Sequence, residues 1–144
     1  MFFSLFSSEN QKFVKKWKQE HEEIVLLAHK VIEEYSTNDH KAAKKALVKL
    51  NKITVHHIMI EDIELHKIHK CEERGNEALS KSIDEFHKTF HDTKVILMDF
   101  LTKYTHPEEE LDANFIHKFQ ELVDVLSQRI EFEENNLYNH MGVK

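Results

Sequence analysis

Residues 57–65 read His57-Ile-Met-Ile-Glu61-Asp-Ile-Glu-Leu65, and residues 129–137 read Arg129-Ile-Glu-Phe-Glu133-Glu-Asn-Asn-Leu137. Each stretch places a basic or imidazole side chain, a glutamate and a leucine at successive intervals of four. That is the period of one helix face. Worked outward, the first stretch belongs to a seam of Leu47, Leu50, Thr54, His57, Glu61, Leu65 and Ile68. The second belongs to Phe115, Phe119, Leu122, Leu126, Arg129, Glu133 and Leu137. Both are the inner stripes of amphipathic helices, yet both carry ionisable groups among their leucines. A buried charge is costly unless it is paired or bound to a metal.

Upstream of each stretch lies a second helix with histidine on its stripe. Trp17, His21, Ile24, Ala28, Val31 and Tyr35 keep intervals of four and three only when His21 is counted. Ile83, His87, His91, Val95, Met98 and Leu101 form the corresponding face further on. Trp17-Lys-Gln-Glu-His21 aligns with His87-Lys-Thr-Phe-His91; His21 precedes His57 by 36 residues, and His91 precedes Arg129 by 38. The chain reads as two copies of one helical pair, and a pseudo-two-fold axis between them would set their polar layers side by side. His-x-x-x-Glu and His-x-x-x-His each put two ligating groups on one face, and mixed nitrogen and oxygen donors suit iron, manganese or zinc.

Punctuation supports four helices, at about 9–35, 39–72, 78–104 and 106–140, in one domain spanning 1–144 with a short arm at 1–8. Ser8 with Gln11 forms a possible capping box, Ser36-Thr-Asn-Asp39 a run of capping residues, Gly75-Asn76 a turn, and Thr105-His-Pro-Glu108 a helix start. Two glycines and one proline are too few for a β-rich protein of 144 residues. The expected fold is all-α, an up-down-up-down four-helix bundle. A net charge of −6 disfavours nucleic acid and anionic membrane as partners. Cys71 stands alone, so an intramolecular disulfide and a thiolate metal site are both excluded. No stretch reaches the roughly 18–20 apolar residues that span a bilayer. The apolar start, Met1 to Ser8, lacks the basic flank and length of a signal sequence. Cytoplasmic residence is the expectation.

Over nearly the whole chain these residues resemble the hemerythrin family, including the HHE cation-binding domains. The resemblance implies that His21, His57, Glu61, His87, His91 and Glu133 are metal ligands, with Glu61 and Glu133 bridging two non-heme irons. It implies O₂ or another small diatomic as the ligand, for carriage, storage or sensing, rather than catalysis on a larger substrate. Some HHE proteins are tied to nitric oxide stress and iron–sulfur repair, so a redox enzyme at the same iron site is the alternative, and a metal-free helical interaction module a third. Arg129 departs from the family, which has a histidine there. A guanidinium stays protonated and cannot ligate a metal. His117 and His140 lie ~18 Å and ~16 Å away along the helix and cannot substitute. Two states are open: an asymmetric di-iron site, or one metal with the Arg129 cation in the other half, paired with Glu133 or Glu61.

Overall fold

The computed structural model describes the backbone of residues 2–72 and 77–141, and the side chains of 11–70 and 77–141. Helices α1 (Phe2–Ser36), α2 (His40–Glu72), α3 (Glu77–Tyr104) and α4 (Ala113–Phe132) form the bundle. The path of α4 continues through a π-helical segment, Glu133–Leu137, and a last turn, Tyr138–His140. Among the described residues there is no strand, and no helix is long and apolar enough to cross a membrane. Helix α1 packs against α2 and α4, α2 against α3, and α3 against α4, which closes the four-membered ring.

The α1–α2 turn follows its sequence. Asn38 takes a φ of 63°, a left-handed conformation that asparagine tolerates better than most residues. Asp39 then caps α2, its carboxylate accepting the Ala42 amide at 3.0 Å.

Two boundaries differ from the sequence reading. Helix α1 is continuous from Phe2, so residues 2–8 are not an arm outside the helix and Ser8 lies within it rather than at its cap. Helix α4 begins at Ala113, not near residue 106. Thr105 closes α3, its hydroxyl donating to the Leu101 carbonyl. Pro107 then occupies the second position of a turn closed by the Glu109 amide on the His106 carbonyl, a place that suits its fixed φ. The true cap is Asp112, whose carboxylate accepts the Phe115 amide at 2.8 Å. Lys44 pins this connection from α2 by donating to the carbonyls of His106 and Glu109. The expected turn at Gly75-Asn76 and the Cys71 side chain lie outside the described residues.

The core is in two parts. One joins Ile24, Ala28, Leu47, Leu50, Leu101, Phe115, Phe119 and Leu126. The other joins Trp17, Leu65, Ile83, Phe86, Leu137 and Tyr138. On the stripes of α1, α2 and α4, buried His21, His57, Glu61, Arg129 and Glu133 interrupt the apolar sequence at the junction of these parts. Long apolar stripes make the bundle, and their shared interruption makes the site.

Candidate metal centre

His21 comes from α1, His57 and Glu61 from adjacent turns of α2, and Glu133 from the start of the π-helical segment. Each offers a ligand atom, and these four atoms all lie within 4.8 Å of one another. The Nε2 atoms of His21 and His57 are 3.1 Å apart. His57 Nε2 is 3.4 Å from a Glu61 oxygen, and His21 Nε2 is 3.4 Å from a Glu133 oxygen.

The outer ring nitrogens fix the tautomers. Nδ1 of His57 sits 2.9 Å from the Glu20 carboxylate, and Nδ1 of His21 sits 3.0 Å from the Glu134 carboxylate. An ionised carboxylate only accepts, so each Nδ1 donates. Each ring, when neutral, then turns its Nε2 lone pair inward and toward the other. Facing lone pairs at 3.1 Å need a proton or a metal cation between or beside them. A metal bound at about 2.1 Å to tetrahedral donors holds those donors about 3.4 Å apart, the distance of the His57–Glu61 and His21–Glu133 contacts, within a cluster whose ligand atoms spread no further than 4.8 Å. Carboxylates behind ligating histidines are the usual support of such sites.

Tyr138 closes one side. Its hydroxyl lies 3.0 Å from Glu61 and 2.9 Å from Glu133, donating its single proton to one carboxylate at a time. The π-helical segment makes this possible. Five residues on an α-helix turn through about 500°, which would carry Tyr138 off the face of Glu133. The wider π-turn, with the Tyr138 amide bonded to the Glu133 carbonyl, returns both to the interior. Such bulges often accompany functional sites.

Arg129 closes the other side. Its Nε donates to Glu133 at 3.2 Å and its Nη2 to Glu61 at 3.3 Å, and Asp62 lies 3.7 Å away. The guanidinium also lies over the Phe86 ring, 4.7 Å from its centroid. Both partners weighed from the sequence, Glu133 and Glu61, are therefore engaged together.

Protons on this cluster are shared unevenly. Burial pushes the Glu61 carboxyl up, and the neighbouring Glu133 charge pushes it further, to about 7. Burial opposes the charge on Glu133 too, but hydrogen bonds with Glu61, His21 and His57, and the Arg129 charge, hold it well below the usual carboxylate range. Burial works against protonated His57, yet its bonds to Glu133 and Glu61 outweigh this and raise it to about 10. His21 is raised by Glu133 and Glu134 against the same opposition from burial.

The structure does not bring His87 and His91 into this cluster. His87 is half-buried and His91 exposed. With Asp62, Phe86, Phe90, Lys94 and Arg129 they line a gap of about 10 Å³, room for one water at most. The carboxylate that could have completed a second ligand set, Asp62, is held by Lys94 at 2.7 Å and faces Arg129. The physical reason is Arg129: a long cation fills the half-site in which the repeat predicted a second metal. Burial and the charges of Lys94 and Arg129 also lower the pKa of His87, against the pull of Asp62.

Glu20, Glu134 and Tyr138 escape the sequence reading. Glu20 and Glu134 neighbour His21 and Glu133 in sequence and so sit about 100° off the inward stripe, where periodicity assigns them to solvent. Tyr138 is off-stripe unless the helix widens, which no spacing rule anticipates.

Residues 12–141 match the family model described as the hemerythrin HHE cation binding domain. Comparison with curated proteins and with solved structures finds no match. The family match covers nearly the whole described chain and joins a bundle whose buried histidines and glutamates converge on one point: this chain belongs to the hemerythrin HHE cation-binding domain family.

Proposed function

We propose that the chain holds one non-heme iron between His21, His57, Glu61 and Glu133 and uses it to bind O₂ or another diatomic molecule, for carriage, storage or sensing. The observation that carries this reading is the pair of inward Nε2 atoms 3.1 Å apart, each backed by a carboxylate. Ferrous iron bound there would supply coordination positions open to a diatomic ligand. Arg129 takes the place of a second metal by setting one positive charge between Glu61 and Glu133. Apolar clusters flank the layer on both sides. Protein loaded anaerobically with ferrous iron and titrated with nitric oxide is expected to take up one molecule per chain, with spectral change saturating at that ratio. No uptake would remove the gas-binding reading.

Two further outcomes follow from the same geometry. Glu20→Gln and Glu134→Gln should each lower metal affinity by about 10–100-fold, the usual weight of a supporting carboxylate. The helical circular dichroism of both variants should stay that of the parent. A competition titration against a chromophoric chelator measures the affinity loss.

The metal-free protein should lose stability as pH rises. His57 is raised from 6.5 to about 10 on folding, so its contribution is full below pH 6.5 and is lost as pH climbs toward 10. Glu61, raised from 4.5 to about 7, works in the same direction between those values. Metal must displace these protons, so its affinity should rise over the same window. Melting temperatures with and without metal from pH 6 to pH 9 should therefore diverge.

A further inference from the structure

The α1–α4 seam carries an open groove of about 420 Å³ lined by His21, Glu22, Val25, Leu26, Ile130 and Glu134. Val25 and Leu26 are large apolar residues left exposed, Leu26 to 69%. The groove reaches His21, whose Nδ1 is bonded to Glu134 on the groove wall. Through that one carboxylate the buried imidazole pair is linked to an apolar surface.

Its nearer surroundings are mainly acidic, with Lys18 and Lys30 one turn beyond Glu22 and Leu26 at either end. Residues 19–29 of α1 contain Glu20, Glu22 and Glu23 and no lysine or arginine. Residues 119–141 present Glu121, Asp124, Glu131 and Glu134 toward the surface, while Glu133 and their one Arg or Lys, Arg129, are buried against each other. By contrast, Lys41, Lys45, Lys49 and Lys52 are exposed along α2. A second copy meeting this groove through the same face would set glutamate against glutamate, and an anionic membrane or nucleic acid would be repelled.

We propose that this groove docks a protein electron carrier that presents a small apolar contact ringed by lysines. The role as an electron exchange point rests on the metal reading above; the docking itself does not. Small apolar contacts with a complementary charged rim give the fast, weak complexes that electron transfer uses. The path would run from the carrier across Leu26 and Glu134 to His21, without opening the bundle.

The test uses ¹⁵N-labelled full-length protein and mitochondrial-type cytochrome c, whose exposed haem edge is ringed by lysines, as the probe. Amide shifts should move at Glu22, Val25, Leu26, Ile130 and Glu131, and should weaken as salt is raised. Leu26→Ser and Glu22→Lys, both at exposed positions outside the metal cluster, should each weaken binding about tenfold or more. Metal content should be unchanged in both. With the iron-loaded protein, the rate of cytochrome c reduction should fall by a similar factor in the same variants. Shifts centred elsewhere, no binding, or shifts that depend only on the protein's own concentration would overturn the docking site. Localised shifts with no electron transfer to or from protein of verified iron content would overturn the carrier's role and leave the metal reading intact. Failure of the protein to bind iron at all would strike the metal reading, while the shift map would still decide the docking.

Discussion

Arg129→Met is expected to destabilise the metal-free protein by about 3–5 kcal/mol, the cost of removing one partner from a buried ion pair. Methionine matches the length of the arginine stem and fills much of its space, so lost packing is a minor part of the effect. What disappears is the cation that Glu61 and Glu133 share. Both carboxylates are almost fully buried, and Tyr138 can give its proton to only one of them. The protonated imidazole of His57 would be left as the nearest balancing charge. Urea denaturation near pH 7 with an unchanged m-value should report the loss directly. Added divalent metal should recover more stability in the variant than in the parent. A loss below about 1 kcal/mol would mean that Arg129 is screened by water and does not substitute for a metal.

His57→Gln should reduce metal affinity by more than the roughly 100-fold attached to a supporting residue. The amide of glutamine can still donate to Glu20, so the α1–α2 contact at that point is kept. The ring Nε2, which faces His21, Glu61 and Glu133 at 3.1, 3.4 and 3.9 Å, is gone. Three donors then remain where four lay within reach. The metal-dependent rise in melting temperature should vanish at metal concentrations that saturate the parent. Because His57 also carries a stabilising proton in the metal-free protein, the variant should lose the His57 part of the pH dependence expected above and keep the part carried by Glu61. Retained affinity would place the metal elsewhere.

The bundle was legible because four long stripes repeat at helical period and their polar members fall at matched places. The same rule located His21, His57, Glu61 and Glu133, whose side chains the folded chain gathers. It also put His87 and His91 on an inward stripe, but the folded chain leaves them outside that cluster. Periodicity reports which face a residue occupies, not how deep its side chain lies once a neighbour has taken the space. Arg129 occupies that space, and Lys94 with Asp62 bridges over it. The resemblance flagged Arg129 as the departure, and its spacing put it inward. Whether one or both carboxylates would hold it depends on cross-helix distances that sequence does not encode. The start of α4 was missed because Thr105 and Pro107 fit a helix cap and a turn equally well, and Lys44, 62 residues away from His106, reinforces the turn.

The most direct test of the account is the number of metal ions bound per chain. Untagged protein is stripped, loaded anaerobically with excess ferrous iron, desalted and assayed by elemental analysis against protein concentration. One iron per chain is expected, falling to near zero in His57→Gln and unaltered in His91→Ala, whose side chain stands outside the cluster. Two irons per chain, with one lost on His91→Ala, would contradict the single-metal centre and return Arg129 to the role of a bystander.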